Sequence, residues 1–421
     1  PGMAAPTAPV SSLYARNREF PKVRHEEREF DDFADQPLLP NRMSRLGPGI
    51  AIGDVDGDGD EDAYIGGAFG SDGTIWLRDG ENWTPGSTIV NGSAYEDMGS
   101  LFFDADGDGD ADLYVVSGGV EVAKGSANYR DRLYLNDGSG QFQASAARAL
   151  PAVEDSGSCV VAADYDGDGD LDLFVGGRVV PGEYPTAPSS RLLRNDSSSA
   201  GALFADVTAE VAAGLHQAGM VTSALWSDAD NDGDADLLVT YEWGPVRLFR
   251  NADGKLEDAT ESSGIANLLG WWNGIAGGDV DADGDIDYAV TNFGLNTKYH
   301  PTSEKPVVLY YGDFSGDGQM RIVEAKQTSD GVLPVRGFSC SSAAIPGVSR
   351  KMGHSTPFHN FATKVLGEIY TEERLGMALR FEVNELRSGV LINDGSGGFE
   401  FRPLPALAQV APGFGVSFCD A

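Results

Sequence analysis

Cysteine, histidine and positive charge are scarce in this chain of 421 residues, and each scarcity removes a class of function. Three cysteines, Cys159, Cys340 and Cys419, make no disulfide framework, and they are read as buried thiols because two of them stand in apolar, strand-like surroundings. The five histidines, His25, His216, His300, His354 and His359, show no HExxH, no metal spacing and no shared motif. No GxSxG occurs, nor a phosphate-cradling glycine loop with its lysine. Lys and Arg number 30 against 65 Asp and Glu, a net charge of −35 that makes nucleic acid a poor partner. No apolar run reaches the roughly 18 residues that a membrane-spanning helix needs.

What is abundant is one acidic pattern. The stretch 49–67 reads GIAIGDVDGDGDEDAYIGG, with Asp54, Asp56, Asp58, Asp60 and Asp62 on alternate positions between two apolar runs. A hard cation such as Ca²⁺ takes about six to eight oxygens, so carboxylates at positions one, three and five can wrap it while a glycine at position six makes the sharp turn. Position seven would offer its carbonyl and position nine a closing carboxylate. No Glu stands at position twelve; the residues there read as strand, so the loop belongs to a hairpin rather than to an EF-hand.

The pattern returns four times. Its members are Asp104, Asp106, Asp108, Asp110 and Asp112; Asp164, Asp166, Asp168, Asp170 and Asp172; Asp228, Asp230, Asp232, Asp234 and Asp236; and Asp279, Asp281, Asp283, Asp285 and Asp287. These five sets are the candidate metal ligands, for about five Ca²⁺ ions. The steps of 50, 60, 64 and 51 residues each hold one supersecondary unit. An apolar run follows each loop, and second runs end in the turns LYLNDGSGQF, LLRNDSSS, LFRNADGK and VLINDGSGGF. Four short strands per unit predict a propeller blade and an all-β fold.

The loops and their period resemble the FG-GAP or VCBS repeats of integrin-alpha-type β-propellers. NRMSRLGPGIAIGDVDGDGDED and NFGLNTKYHPTSEKPVVLYYGDF further resemble the cartilage-acidic-protein and UnbV-like group of secreted repeat proteins. The resemblance spans residues 20–421 and implies a seven-bladed type of propeller whose ligands engage the face away from the metals.

In chain order, residues 1–19 read as a Pro/Ala-rich linker and 20–47 as an outer strand with a lead-in. Blades are expected from about 48, 98, 157, 220 and 272. GDFSGDGQMR at 312–321 looks like a sixth loop, but Ser315 replaces the position-three carboxylate and Arg321 stands at position nine. It is expected to bind no calcium and to be the hairpin between strands 3 and 4 of blade five. Between 334 and 385, Phe358, Phe361, Val365, Leu366, Ile369 and Tyr370 recur at helical spacing, which predicts a small helical insertion in a blade without a calcium loop. A last, truncated blade is expected from about 413, so the chain is read as a piece of a larger polypeptide.

If strands alternate direction, the calcium loops occupy one face, and the opposite face collects the longer connections. Arg178, Tyr184, Trp243, Trp271 and Trp272 are its candidate ligand-binding residues, with the two adjacent tryptophans open to the alternative that they pack in the core. The expectation is a non-enzymatic, extracellular or cell-surface module that binds a protein or carbohydrate. Two alternatives stand beside it: an architectural repeat, or a polysaccharide lyase using His216 or Tyr184 with Arg178 or Lys298.

Overall fold

A computed structural model of the chain describes residue 20 and residues 23–89, 92–216 and 218–419. The expected linker, 1–19, lies outside the described residues. Among them the chain forms six antiparallel sheets and a few short helices.

Five sheets follow the sequence repeat. The first is β1–β4 (Ile50–Gly53, Asp62–Ile65, Thr74–Asp79, Asn82–Thr88), and the second is β5–β8 (Asp97–Phe103, Asp112–Ser117, Arg132–Asn136, Phe142–Ala144). The third is β9–β12 (Gly157–Ala163, Asp172–Gly177, Arg191–Asn195, Phe204–Asp206). The fourth is β13–β16 (Met220–Ser227, Asp236–Gly244, Arg247–Ala252, Lys255–Asp258), joined by the short β17 (Gly270–Trp271). The fifth opens with β18 (Gly274–Gly278) and β19 (Asp287–Thr291). First strands of successive sheets lie side by side, β1 on β5, β5 on β9, β9 on β13 and β13 on β18. A methyl group at Gly99 on β5 would come within 2.8 Å of the Cys159 backbone on β9, so the two can approach this closely only without a side chain. The second strands are almost wholly buried, lying inside their sheets with neighbouring sheets packed against them.

After β19 the chain leaves the repeat. It builds a sheet of its own from β20–β23 (Val307–Gly312, Arg321–Thr328, Gly331–Pro334, Leu379–Val383), in the order β22-β21-β20-β23, with five short helices between Phe338 and Met377. Phe361, Leu366, Ile369 and Tyr370 bury against this sheet, as their spacing implied, whereas Phe358 stays 63% exposed. The chain then returns as β24 (Gly389–Asn393) and β25 (Phe399–Pro403), which pair with β19 and complete the fifth sheet. Exit and return are tied together: Gly294 N–H donates to Leu386 O at 2.7 Å and Asn292 N–H to Ser388 Oγ at 2.9 Å.

Four expectations are corrected here. The hairpin around Asp313 belongs to the inserted sheet, and strands 3 and 4 of the fifth repeat are β24 and β25. The insertion therefore starts directly after β19, inside a repeat that keeps its acidic loop, and no separate sixth blade precedes residue 413. Residues 413–419, which carry no strand, follow β18 as the sixth unit in line: Asn273 Nδ2 donates to Gly413 O at 2.9 Å, and a methyl at Gly278 would meet the Phe418 ring at 2.7 Å. Residues 23–49 form no outer strand. They lie across the molecule, with Asp32 accepting N–H bonds from Met43 and Ser44 at 2.7 and 2.9 Å and Leu39 and Met43 packed in a core with Tyr184, Trp243 and Tyr311.

In four of the five repeats one buried asparagine stitches neighbouring sheets. Asn136, Asn195, Asn251 and Asn393 stand at or next to the ends of the third strands and donate Nδ2 to Val55 O, Ala105 O, Tyr165 O and Ala229 O, each in the preceding sheet's loop, at 2.7–3.3 Å. Each also donates to its own loop, at Ala111 O, Leu171 O, Ala235 O and Ile286 O. Arg78 holds the equivalent position in the first sheet, which has no preceding loop. We expect Asn251→Ala to cost about 2–3 kcal/mol, since it orphans two buried carbonyls, and Arg78→Ala to stay within about 0.5 kcal/mol. Thermal and denaturant melts of the two variants measure the contrast.

Candidate functional sites: acidic loops and the opposite cleft

Each acidic loop connects the first two strands of its sheet, and the five backbones agree in detail. The position-one carboxylates, Asp54, Asp104, Asp164, Asp228 and Asp279, accept the N–H of the position-six glycine at 3.0–3.2 Å. Those glycines, from Gly59 to Gly284, have φ between 94° and 101°, a conformation costly for any other residue. Position five, Asp58, Asp108, Asp168, Asp232 and Asp283, accepts the N–H of position seven at 2.8–3.0 Å.

Position seven faces outward. Asp60 accepts Gly80 N–H at 2.6 Å and Asp285 accepts Asn231 Nδ2 at 2.8 Å; Asp110 lies beside Gly138 and Asp234 faces Asp253 N. Asp170 ends its loop in an exposed position.

Position nine is different in kind. Asp62, Asp112, Asp172, Asp236 and Asp287 begin the second strands and are at most 1% exposed. One oxygen of each accepts the position-two N–H, at 2.9–3.3 Å. The other accepts an N–H from the third strand, of Arg78, Asn136, Asn195, Asn251 and Asn393, at 2.7–2.9 Å. This carboxylate closes the hairpin whether or not a cation is bound, and each oxygen keeps a second lone pair.

The donor set fits Ca²⁺. Single oxygens of Asp54, Asp56 and Asp58 lie within 4.8 Å of one another, as do those of Asp104, Asp106 and Asp108, and of Asp164, Asp166 and Asp172. At position three, Asp106 Oδ1 and Asp230 Oδ1 are buried without any hydrogen-bond partner, the other oxygen of Asp230 lying 3.4 Å from Arg250 Nε. The remaining position-three residues, Asp56, Asp166 and Asp281, occupy the same loop position. Burial, reinforced by neighbouring loop carboxylates, raises the pKa of Asp106, Asp166 and Asp230. Burial likewise pushes Asp112 and Asp172 up to about 7 and Asp236 to about 6, against the lowering effect of their two N–H bonds.

The Asp313 loop has the same backbone but carries its own positive charge. Asp313 accepts Gly316 and Gly318 N–H at 2.7 and 2.9 Å, while the guanidinium of Arg321, at position nine, lies bidentate on Asp317 at 2.8 Å. A covalently attached cation occupies this loop.

The five ligand-face candidates are all buried, and four converge. Arg178 pairs with Glu242, whose other oxygen accepts the Tyr184 hydroxyl at 2.6 Å; Tyr184 Oη in turn accepts Trp243 Nε1 at 2.6 Å. Trp271 stands edge-on to Trp243, Phe293 and Tyr299 with centroids 4.6–5.0 Å apart. Trp272 points away into the core between the fourth and fifth sheets, its Nε1 donating to Leu268 O at 3.2 Å. Burial and the neighbouring Glu242 carboxylate raise the Tyr184 pKa well above the ordinary phenol value. His216 bonds to Ser189 at 2.8 Å and Lys298 sits over the Tyr299 ring, so of the residues considered for lyase chemistry only Tyr184 and Arg178 meet.

Arg178 and Trp271 line a cleft of about 310 Å³ with Glu242, Phe293, Tyr299 and Asn273. Met98, Ser158 and Thr222 contribute from the starts of β5, β9 and β13, so the cleft lies at the ends of the sheets opposite the acidic loops. Arg178 Nη1 and Trp271 Nε1 have no partner. Sequence reasoning missed Glu242, whose signal was a lone acid within the apolar run LLVTYEWG, and it missed Phe293 and Tyr299, which carried none. The thiols divide: Cys159 is half-buried, and desolvation pushes it up to about 11, whereas Cys340 and Cys419 are exposed, contrary to expectation.

The model of the FG-GAP-like repeat family matches residues 118–175 and 228–290, which include the third, fourth and fifth acidic loops. The chain therefore carries FG-GAP-like repeats. It matches no curated protein in sequence. Solved structures similar to it include an Agrocybe aegerita lectin that recognises non-reducing terminal N-acetylglucosamine (14% identity, TM-score 0.34, 79% of this chain and 70% of that one). A Bacillus licheniformis rhamnogalacturonan lyase (14%, 0.34, 62% and 51%) and the V. cholerae biofilm matrix protein Bap1 (11%, 0.30, 72% and 61%) are further examples. The chain thus spans between half and seven tenths of those proteins.

An acid whose pKa is higher folded than unfolded holds extra protons in the fold between the two values, so its contribution to stability falls as pH rises through that window. Without metal, Asp112 and Asp172 should therefore destabilise the chain progressively from about pH 4 to about 7. A bound cation favours the ionised form and reverses the trend. The gain in melting temperature on adding Ca²⁺ to metal-free protein should accordingly grow between pH 5 and 7.5; a gain independent of pH would contradict this account.

Proposed function

We propose that this chain is a calcium-stabilised, propeller-type binding module of a secreted or cell-surface protein, without enzymatic activity, and that it engages a protein or glycan at the end opposite the acidic loops. The observation that carries the reading is the fivefold recurrence of one carboxylate cage, with buried, unpartnered oxygens in two of its copies. Five Ca²⁺ ions supply ten positive charges and bring −35 to about −25, which relieves repulsion concentrated at one end of the sheets.

Calcium here is structural. Extracellular modules bind at about 10⁻⁴ to 10⁻³ M, and at roughly 1 mM calcium a 10⁻⁴ M site adds about 1.4 kcal/mol. Five such sites total about 7 kcal/mol, comparable to the roughly 5–15 kcal/mol that a domain has. Cytosolic calcium is too dilute to fill sites of this kind, which favours an extracellular setting. Among the described residues no helix is long and apolar enough to cross a membrane.

Calorimetry should find five calcium ions per chain, none held by the loop that contains Arg321. Chelation should lower the melting temperature by many degrees, and an unchanged melt would refute the metal reading.

For the ligand, calcium-loaded protein is passed over a panel of polysaccharides and matrix proteins, each polysaccharide then being assayed for new chain ends. Retention without new ends supports a binding module, whereas new ends establish a lyase. Phe293→Ala, at the cleft wall, should weaken retention about tenfold or more while leaving the calcium-dependent melt in place.

A further inference from the structure

A histidine and two glutamates cluster where the N-terminal segment meets the link between the first two sheets. One ligand atom each from His25, Glu27 and Glu96 lies within 4.8 Å of the others, and a His25 ring nitrogen is 2.9 Å from Glu27 Oε1. Glu96 is 2% exposed. Its Oε2 accepts Phe69 N–H at 2.6 Å, but its Oε1 is buried with no hydrogen-bond partner. Glu121 adds a further partly buried carboxylate beside Glu96. Among the described residues, none of Glu27, Glu96 and Glu121 has a Lys or Arg within ion-pair distance; His25 alone faces Glu27.

Carboxylates gathered away from water without a counter-cation are costly, and an orphaned carboxylate oxygen adds to the cost. A proton on Glu96 is one remedy, and burial does push this carboxyl up to about 8. A divalent cation is the other, and the imidazole favours it: a proton needs no nitrogen donor, whereas a mixed nitrogen and carboxylate set suits Zn²⁺ and related ions.

We propose that His25, Glu27 and Glu96 hold one divalent cation of the Zn²⁺ class, which staples the N-terminal segment to the link between the first and second sheets. The site is separate from the acidic loops in both place and chemistry. Those loops offer oxygen alone; this one offers a nitrogen together with two carboxylates.

The test uses the full chain in millimolar Ca²⁺, so that oxygen-only sites are already filled, with Zn²⁺ as the probe in calorimetry. One Zn²⁺ per chain should bind, and His25→Ala should weaken it about 10- to 100-fold or more, the scale seen even for residues one shell further from a metal. Glu96→Gln should do the same. His25 is only partly buried, so its variant keeps the fold, as an unchanged calcium-dependent melt would verify. Zn²⁺ should also slow tryptic cleavage after the exposed Arg24 and Arg28 in the unaltered chain but not in His25→Ala. Absence of a Zn²⁺ site in calcium-replete protein, or a site of undiminished affinity in His25→Ala, overturns the proposal.

Discussion

A buried aspartate at the start of each second strand is the constraint on which the repeat depends. Its two oxygens accept one N–H from the loop and one from the third strand, which ties loop, second strand and third strand into one unit. The third-strand asparagine extends the tie to the preceding sheet through a carbonyl of that sheet's loop. The acidic loops are thus joints of the scaffold. Whatever orders a loop also orders the neighbouring sheet, and burial at such a joint raises the cost of ionising the position-nine carboxylates.

The inserted sheet shows the same loop solved by other means. Asp313 holds the backbone turn as its counterparts do, yet the position-nine acid is replaced by Arg321, whose guanidinium sits on Asp317 and neutralises the loop from within. That the turn persists with an arginine at position nine indicates that Asp313 and the glycines set the backbone, and the residues at positions three and nine then set the charge. The insertion is tolerated because it leaves and re-enters the fifth sheet at one point, with hydrogen bonds bridging exit and return.

The two ends of the sheets have different physics. One end is exposed, acidic and built from short, repeated turns. At the other, long connections of unlike sequence fold inward with the N-terminal segment, bury the Arg178–Glu242 pair and Tyr184, and leave a cleft walled by aromatic rings. Repetition serves the scaffold and divergence serves the cleft, the usual division between framework and connecting loops.

The repeat itself was legible in the residues: loop chemistry occupies consecutive positions, and alternation of Asp with Gly, bounded by apolar runs, leaves little freedom in backbone or burial. The five loops, their hairpin setting between the first two strands of each sheet, and Arg321 in place of the position-nine acid are all local properties of this kind. The helices of the insertion were legible for the same reason, in the spacing of Phe361, Leu366, Ile369 and Tyr370. Tertiary structure alone decided that β24, beyond the insertion, completes the fifth sheet in place of the nearer β20, and that Trp271 turns to the cleft while Trp272 turns to the core. It alone brought Arg178 to Glu242 and Glu96 to His25. These are pairings between residues far apart in the chain, and the free energy that selects them, burial of a sheet face or of a charge with its partner, has no value until both sides are in place.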